Sequence, residues 1–437
     1  MGAKPFHLGW FMSFRPPAWN SPFCAPVDAR EWASGDFYVD FARSLERARF
    51  DYMMIEDSSM VSDIHAGSYE IDLKHALYAP KHDPVALVPW MTGATTHLGV
   101  VATMSASFYP PFMLARTMTT LDHMSGGRVG WNIVTSSEDR AAQNYGLDKL
   151  YEHDERYDRA DEFVEVVEKL WDSWEPAALV LDCDSGKYAD ASKVHPINHE
   201  GRYFKVRGPM NTARSPQGRP VFCQAGGSPR GRDFAAAHAE TIIASAQGVA
   251  AMREFREDIR HRMAERGRNP DDCKILFVVN PTVGATDAEA QAVRESWTAP
   301  AVQRYRAEAA LGHLSALTET DFSSFPLDQP IPDVTTNGHR STLSDFIRMG
   351  TGGKTLGEVA AAWSIESVPL VGSPATIAAE MDEVMQEVGG DGFLITGAGT
   401  RRYITEITDG LVPALQARGL TRTAYSHTTF RDNLMEF

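Results

Sequence analysis

Short apolar runs punctuate the chain, each bounded by turn-forming residues and separated from the next by a longer stretch with helical spacing. The runs are FHLGWFM (6–12), DYMMI (51–55), LGVVATM (98–104), RVGWNIV (128–134), PVFCQ (220–224), TIIAS (241–245), ILFVVNPTV (275–283) and GFLIT (392–396). They are continuously apolar rather than alternating, the pattern of strands covered on both faces. Between them, DFYVDFARSLERARF sets Phe37, Phe41, Leu45 and Ala48 at three-and-four spacing, one helical stripe. PPFMLARTMTTLDHMSGG opens on prolines and closes on glycines, the polarity of helix ends. YDRADEFVEVVEKLWDSW gathers Phe163, Val167, Leu170, Trp171 and Trp174 on one side. GVAAMREFREDIRHRMAERG ends at Gly267, Thr286 and Glu289 open a capping box, and Ser373 with Pro374 starts the last helix. Pro89 inside DPVALVPWMTGATTH predicts a short or kinked helix.

Eight buried strands alternating with helices predict an α/β fold, a (β/α)8 TIM barrel forming a single domain over residues 1–437. A doubly wound open sheet is the rival, but eight such units fit closure better. Two intervals are too long for one crossover and are expected as insertions: 135–219 after strand four, and 298–372 before strand eight. Long insertions in barrels often form lids or walls of the site. The second is the expected lid, with Gly350, Gly352 and Gly353 as its hinges.

Composition narrows the function classes. The 437 residues are 43% hydrophobic and 23% charged, enough for a large core. A net charge of −16 without any Lys/Arg-rich run disfavours nucleic acid. Cys24, Cys183, Cys223 and Cys273 are scattered, with no CxxC pair, and read as reduced thiols, Cys223 as a core hydrophobe. The start lacks a signal-peptide pattern, Phe6 occupies the position where a myristoylation motif needs Ser or Thr, and no run approaches 18 apolar residues. The expectation is a cytoplasmic protein without a membrane span.

In a barrel the chemistry sits at the C-terminal ends of the strands. Strand two is followed by Glu56, Asp57, Ser58 and Ser59; strand three ends in Thr103, Met104 and Ser105. Strand four offers Asn132, Thr135, Ser136 and Ser137, and the later strands offer Gln224, Ser245, Gln247 and Asn280. This ring is hydrogen-bonding and almost free of charge, which suits a flat heteroaromatic ligand with amide and carbonyl edges. QAGGSPRGRDFAAAHAE (224–240) adds a strand end, a Gly-rich turn and a helix starting near Pro229. Gly226 and Gly227 let the backbone approach a ligand, helix N–H groups attract an anion, Ser228 adds a hydroxyl, and Arg230 or Arg232 adds charge. A plain βα turn is the alternative.

His153 and Tyr157 share a helical face if the helix already runs there, within reach of a phosphate or a reacting atom; a structural pair is the alternative. His195 and His199 have metal-like spacing, but Pro196 blocks a normal helix and no further ligands support them, so no metal is expected. No GxSxG elbow and no well-placed carboxylate pair appear. The residues alone predict a barrel enzyme for a phosphate-bearing, uncharged aromatic ligand, and name no reaction.

SGGRVGWNIVTSSEDRAAQNYG (125–146) closely resembles the bacterial-luciferase-like flavin monooxygenases, within them the group of nitrilotriacetate, EDTA, dibenzothiophene-sulfone and long-chain alkane monooxygenases. ERARFDYMMIED, HDERYDRADEFVEVVEKLWDSW, INHEGRYFKVRGPMN and PVFCQAGGSPRGRDFAAAHAE follow in family order, and VGSPATIAAEMDEV with DGFLI resumes the match near the end.

The resemblance implies a two-component FMNH2-dependent monooxygenase. Reduced FMN would come from a separate NAD(P)H:flavin reductase, met only through diffusing FMNH2 or in a complex. It would react with O2 to a flavin (hydro)peroxide that oxygenates a small organic substrate. The resemblance further implies catalytic roles for Thr103, Asn132 and His153, and cofactor contacts from Asp57, Thr103, Asn132, His153, Tyr157, Ala225, Gly226, Gly227 and Ser228. Several relatives carry two serines in the phosphate loop where this chain has Gly227 and Ser228. Relatives imply a homodimer or homotetramer; charge and hydropathy lead to no expected nucleic-acid or membrane partner. Two alternatives stay open: a deazaflavin (F420)-dependent oxidoreductase of the same superfamily, and a non-catalytic flavin-binding protein. The loop 15–32, with Trp19, Phe23 and Trp32, is expected to wall the substrate side and to favour an apolar substrate over a chelate.

Overall fold

The computed structural model describes residues 4–17 and 31–437. Eight parallel strands close into a barrel in chain order: β1 (His7–Ser13), β2 (Tyr52–Glu56), β3 (Gly99–Ser105), β4 (Val129–Val134), β5 (Val221–Gln224), β6 (Thr241–Ala244), β7 (Lys274–Val279) and β8 (Gly392–Ile395). β8 returns to β1 in register from His7 opposite Gly392 to Trp10 opposite Ile395. All residues of β3 and β7 are buried, as unbroken apolar runs require when helices cover the outside and side chains fill the inside.

Outside run α1 (Gly35–Arg47), α2 (Leu87–Gly93), α3 (Pro111–Ser125), α4 (His153–Asp172), α5 (Pro229–His238) and α6 (Val249–Glu265). α1 buries Phe37, Tyr38, Phe41, Ala42 and Leu45, its predicted stripe. α3 stops at Gly126 in the left-handed conformation, φ +68°, where a glycine carries no steric penalty. α2 is short, as Pro89 predicts, and follows a 3-10 turn at Pro84–Ala86.

The barrel floor is filled from the far end of the chain. Phe430, on the short helix Phe430–Leu434, is fully buried beside Tyr52, with ring centroids 5.4 Å apart. A Cβ on Gly99 would lie 2.6 Å from the Phe430 ring, so glycine there makes room for the plug. Beneath it, Asp51 accepts from Arg422 at 2.7 Å and lies 3.0 Å from His7 Nδ1. Burial raises the Asp51 carboxyl, but His7 and Arg422 outweigh it and hold the group below its ordinary range.

Two expectations change, and the two insertions gain their content. The run 275–283 is not one strand: β7 stops at Val279, Pro281 cannot donate to a ladder, and Thr282–Val283 pairs instead with Val371–Gly372. The first interval beyond β4 holds the short helix Asp139–Asn144, α4 and two small hairpins, Leu179–Asp182 with Lys187–Ala189 and His199–Glu200 with Lys205–Val206. The second holds α7 (Pro300–Thr318), α8 (Arg340–Met349) and α9 (Leu356–Ala362), which pack Leu314, Phe322, Phe346, Leu356 and Val359 into a core of their own. Gly352 (φ +90°) and Gly353 (φ +86°) turn the chain between α8 and α9, and Gly350 ends α8. Gly352 and Gly353 are exposed and Gly350 half-buried on this turn, which joins two helices of the small core rather than the insertion to the barrel, so they are not placed to swing it against the barrel. α10 (Pro374–Val388), capped by Ser373, then leads to β8. Among the described residues, no helix is long and apolar enough to cross a membrane.

Candidate active site

Thr103 of β3 lies opposite Asn132 of β4, so two inward-facing polar side chains meet near the barrel mouth. The Thr103 hydroxyl donates to the Ile55 carbonyl at 2.8 Å, and its oxygen accepts the Asn132 amide at 2.8 Å. Because a hydroxyl has one proton, this relay fixes the Asn132 side chain with its nitrogen toward Thr103. Asn132 Oδ1 is then left buried with no partner. An unpaired buried acceptor costs about 1–3 kcal/mol, so this oxygen is suited to a donor that the protein does not supply.

β2 contributes charge. Glu56 accepts from Lys81 Nζ at 3.0 and 2.9 Å and from Ser13 at 2.5 Å; Lys81 also donates to Ser58 at 2.6 Å. Burial pushes Glu56 up, but Lys81 and Ser13 hold it below its usual range. Next to it, Asp57 is pushed up to about 7, first by burial and then by the Glu56 charge. The mouth is thus more charged than the strand ends imply: Lys81, which follows no strand, brings the cation.

The opposite side of the mouth is built from α4 and the β5–α5 turn. α4 begins at His153, so His153 and Tyr157 share one face, with rings 5.3 Å apart. His153 Nδ1 lies 2.7 Å from Asp154 Oδ1, and burial lowers the His153 pKa. Burial raises the Tyr157 hydroxyl, which bonds with Ser228. In the turn, Ala225 is exposed, and Gly226 N–H donates to Gln224 Oε1 at 2.7 Å. A Cβ on Gly226 would meet the Gln224 amide at 2.5 Å, so the loop closes this tightly only with glycine. Ser228 caps α5 by accepting from Gly231 N–H at 3.1 Å.

Arg230 and Arg232 are both ion-paired, and Arg232 Nε also holds the Gly227 carbonyl of the loop at 3.0 Å. Arg230 is paired with Asp158 and Asp161, and Arg232 with Asp258 at 2.9 Å. Ser245 and Gln247 donate to the Ile365 and Ser364 carbonyls at 2.9 and 3.1 Å, rooting the second insertion. Asn280 Oδ1 accepts from the Tyr403 hydroxyl at 3.0 Å. His195 pairs with Glu175 and His199 with Glu162, so the two histidines do not converge. Trp32 stacks on His82 at 4.8 Å; Trp19 and Phe23 lie outside the described residues, as does Cys24.

The insertion roofs the mouth with residues that sequence reasoning missed. His313 of α7 stacks on Tyr78 at 5.3 Å and lies 5.4 Å from Trp363. Burial, with Arg15 next, pushes it down to about 3, so the imidazole is neutral at physiological pH. His339 is likewise pushed down to about 4 by burial. Asn337 accepts from His153 N–H at 2.8 Å, Glu319 from Asp139 N–H at 2.8 Å, and Arg156 donates to the Asn337 carbonyl at 2.9 Å. None of these residues follows a barrel strand, so the strand-end rule had no signal for them.

This donor set fits a planar, uncharged ring with an N–H edge and a phosphate tail: an orphaned acceptor at Asn132, a glycine cradle at 226–227, and a Ser-capped helix start.

Residues 6–392 match the family described as luciferase-like monooxygenase. The chain is 38% identical over 420 residues to a dibenzothiophene-sulfone monooxygenase of Rhodococcus erythropolis, covering 93% of this chain and 91% of that one. It is 34% identical over 450 residues to nitrilotriacetate monooxygenase component A of Aminobacter aminovorans, covering 99% and 97%. A crystal structure of a riboflavin lyase with modified FMN and riboflavin superimposes with a TM-score of 0.90 at 31% identity, covering 99% and 96%.

Proposed function

The chain belongs to the luciferase-like monooxygenase family, and from that premise we propose that it is the oxygenase of a two-component system. It would use reduced FMN and O2 to place one oxygen atom in a small organic substrate. A separate NAD(P)H:flavin reductase would supply the FMNH2, a reading supported by a relative named as a component A. The observation that carries the proposal is the buried, oriented and unpaired Asn132 Oδ1 at the mouth, with a phosphate-type cradle across from it.

When bound, reduced FMN supplies the oxygen-activating chemistry. The protein's residues do the rest. Asn132 Oδ1 accepts an N–H from the ring, and Thr103 keeps the amide turned that way. Asp57, titrating near 7, holds or releases a proton at its carboxyl. Gly226 closes the turn through Gln224, and the backbone N–H groups of Gly227 and Ser228, the Ser228 and Tyr157 hydroxyls and His153 take the phosphate end. Ala225 opens that loop. The insertion excludes water from the chamber, with His313 and Trp363 on the substrate side.

The test is turnover with a flavin reductase, NADH, FMN and 18O2 on a panel of sulfones, sulfides, alkanes and amino-polycarboxylates, read by mass spectrometry. One 18O in a product supports the reading. Tight flavin binding without O2 consumption, or turnover with a deazaflavin alone, overturns it. Light scattering tests the expected homodimer or homotetramer.

A further inference from the structure

We propose that the insertion completes the cofactor-phosphate site: Ser341, at the start of α8, supplies the hydroxyl that Gly227 lacks, so the phosphate bridges barrel and insertion. This rests on the FMN reading above.

The argument begins at Gly227. Its φ is not in the left-handed region, so backbone conformation does not demand glycine there. Space does: a Cβ at 227 would lie 3.0 Å from Ser341 Cβ and 3.1 Å from Ser341 Oγ. The place that a side chain at 227 would occupy is filled from the insertion, by a residue carrying a hydroxyl. Among the described residues that hydroxyl has one marginal contact, 3.5 Å from His339 Nδ1, whereas Thr342 holds the same nitrogen at 2.7 Å.

The start of α8 differs from that of α5. Ser228 caps α5, but α8 has no side-chain cap, so its first N–H groups are free to meet a ligand beside Ser341.

Independently, Arg156 at the same junction is buried, is in no ion pair with a carboxylate among the described residues, and has an unpartnered Nε. Its other nitrogens bind the Tyr151 and Asn337 carbonyls. His153 is buried beside it, and Arg340 lies 3.6 Å from the exposed Asp154, which also takes His153 Nδ1. Burying a guanidinium without a counter-ion is costly, and a dianion between the two helix starts would relieve that cost.

If the phosphate is shared, loading FMN fixes the insertion, whereas riboflavin, with the same ring and no phosphate, does not. The experiment titrates oxidised FMN and riboflavin separately into wild type, Ser341→Ala and the double variant Gly227→Ser/Ser341→Gly, which also removes the Cβ that a side chain at 227 would meet. Hydrogen exchange over residues 337–349 is followed in wild type with each ligand. Wild type should prefer FMN. Ser341→Ala should cut that preference about tenfold, the size of one charge-assisted hydrogen bond, with riboflavin affinity unchanged. The double variant should regain it, and FMN alone should slow exchange over 337–349. A Ser341→Ala protein that keeps the wild-type preference, or loses both ligands equally, overturns the shared site while leaving the FMN reading intact. Wild type that binds FMN no better than riboflavin overturns both.

Discussion

Asn132 gives one amide proton to Thr103, and Thr103 gives its own proton to the backbone of β2, so one hydroxyl decides which way the Asn132 oxygen points. Replacing Thr103 by Val removes the acceptor and leaves the amide free to turn over. Thr103→Val should bind FMN with modest loss but form product about tenfold more slowly, while Thr103→Ser restores the rate. Asn132→Ala, which removes the oxygen itself, should cost about 100-fold in kcat/KM with FMN still bound. Steady-state kinetics alongside flavin titration separates binding from turnover; full activity of Asn132→Ala would reject the role.

His313 is held flat against Tyr78 as a neutral ring, and its nitrogens make no hydrogen bond among the described residues. His313→Phe keeps the stacking surface and deletes the polar edge. The expected result is unchanged FMN affinity with a raised KM for the substrate. An unchanged KM would show that the ring is only part of the wall.

Asp57 and Glu319 are both pushed up to about 7, each chiefly by burial. A carboxyl raised in the folded state binds its proton more tightly there than in the unfolded chain. It therefore contributes stability below its unfolded pKa and loses it as pH rises through about 7. The thermal midpoint should fall between pH 5 and pH 8. The double variant Asp57→Asn/Glu319→Gln should flatten that fall by about 2 kcal/mol, after allowance for partial exposure. Parallel pH curves for wild type and variant would refute the assignment.

The insertion touches the start of α4 through Asn337, which accepts the His153 N–H and whose carbonyl takes Arg156. Asn337→Ala should loosen that seam and let water reach the chamber. More of the O2 consumed should then appear as hydrogen peroxide and less as product. A peroxidase-coupled assay measures the ratio, and an unchanged ratio would mean that this seam does not seal the site.

Phe430→Ala empties the barrel floor and should cost about 3–5 kcal/mol, seen as a lower thermal midpoint, without altering flavin selectivity.

The barrel was legible because eight apolar runs fall between helical stripes, and Ser228 because a serine before a proline at a helix start is a local signal. Asn132 stood out as a polar residue in a buried strand. What could not be read depends on distant partners. Arg230 and Arg232 looked like phosphate ligands until Asp158, Asp161 and Asp258, on α4 and α6, claimed them. His313 and Ser341 sit on helices whose facing surface is set by how the insertion docks, which no periodicity encodes. The hinge glycines were misplaced for the same reason: their turn is visible in sequence, but the core shared by α8 and α9 is not.

The Phe430 plug also bears on the order in which the protein is made. A ribosome adds residue 430 after the residues of all eight barrel strands. Until then, the strands around Gly99 and Gly130 enclose a gap the size of a phenyl ring, because neither glycine can fill it. A nascent chain with all eight strands is therefore an unfinished vessel, open at its base. Its closure is among the longest-range contacts in the sequence, the kind whose loop-closure entropy is paid before the contact rewards it.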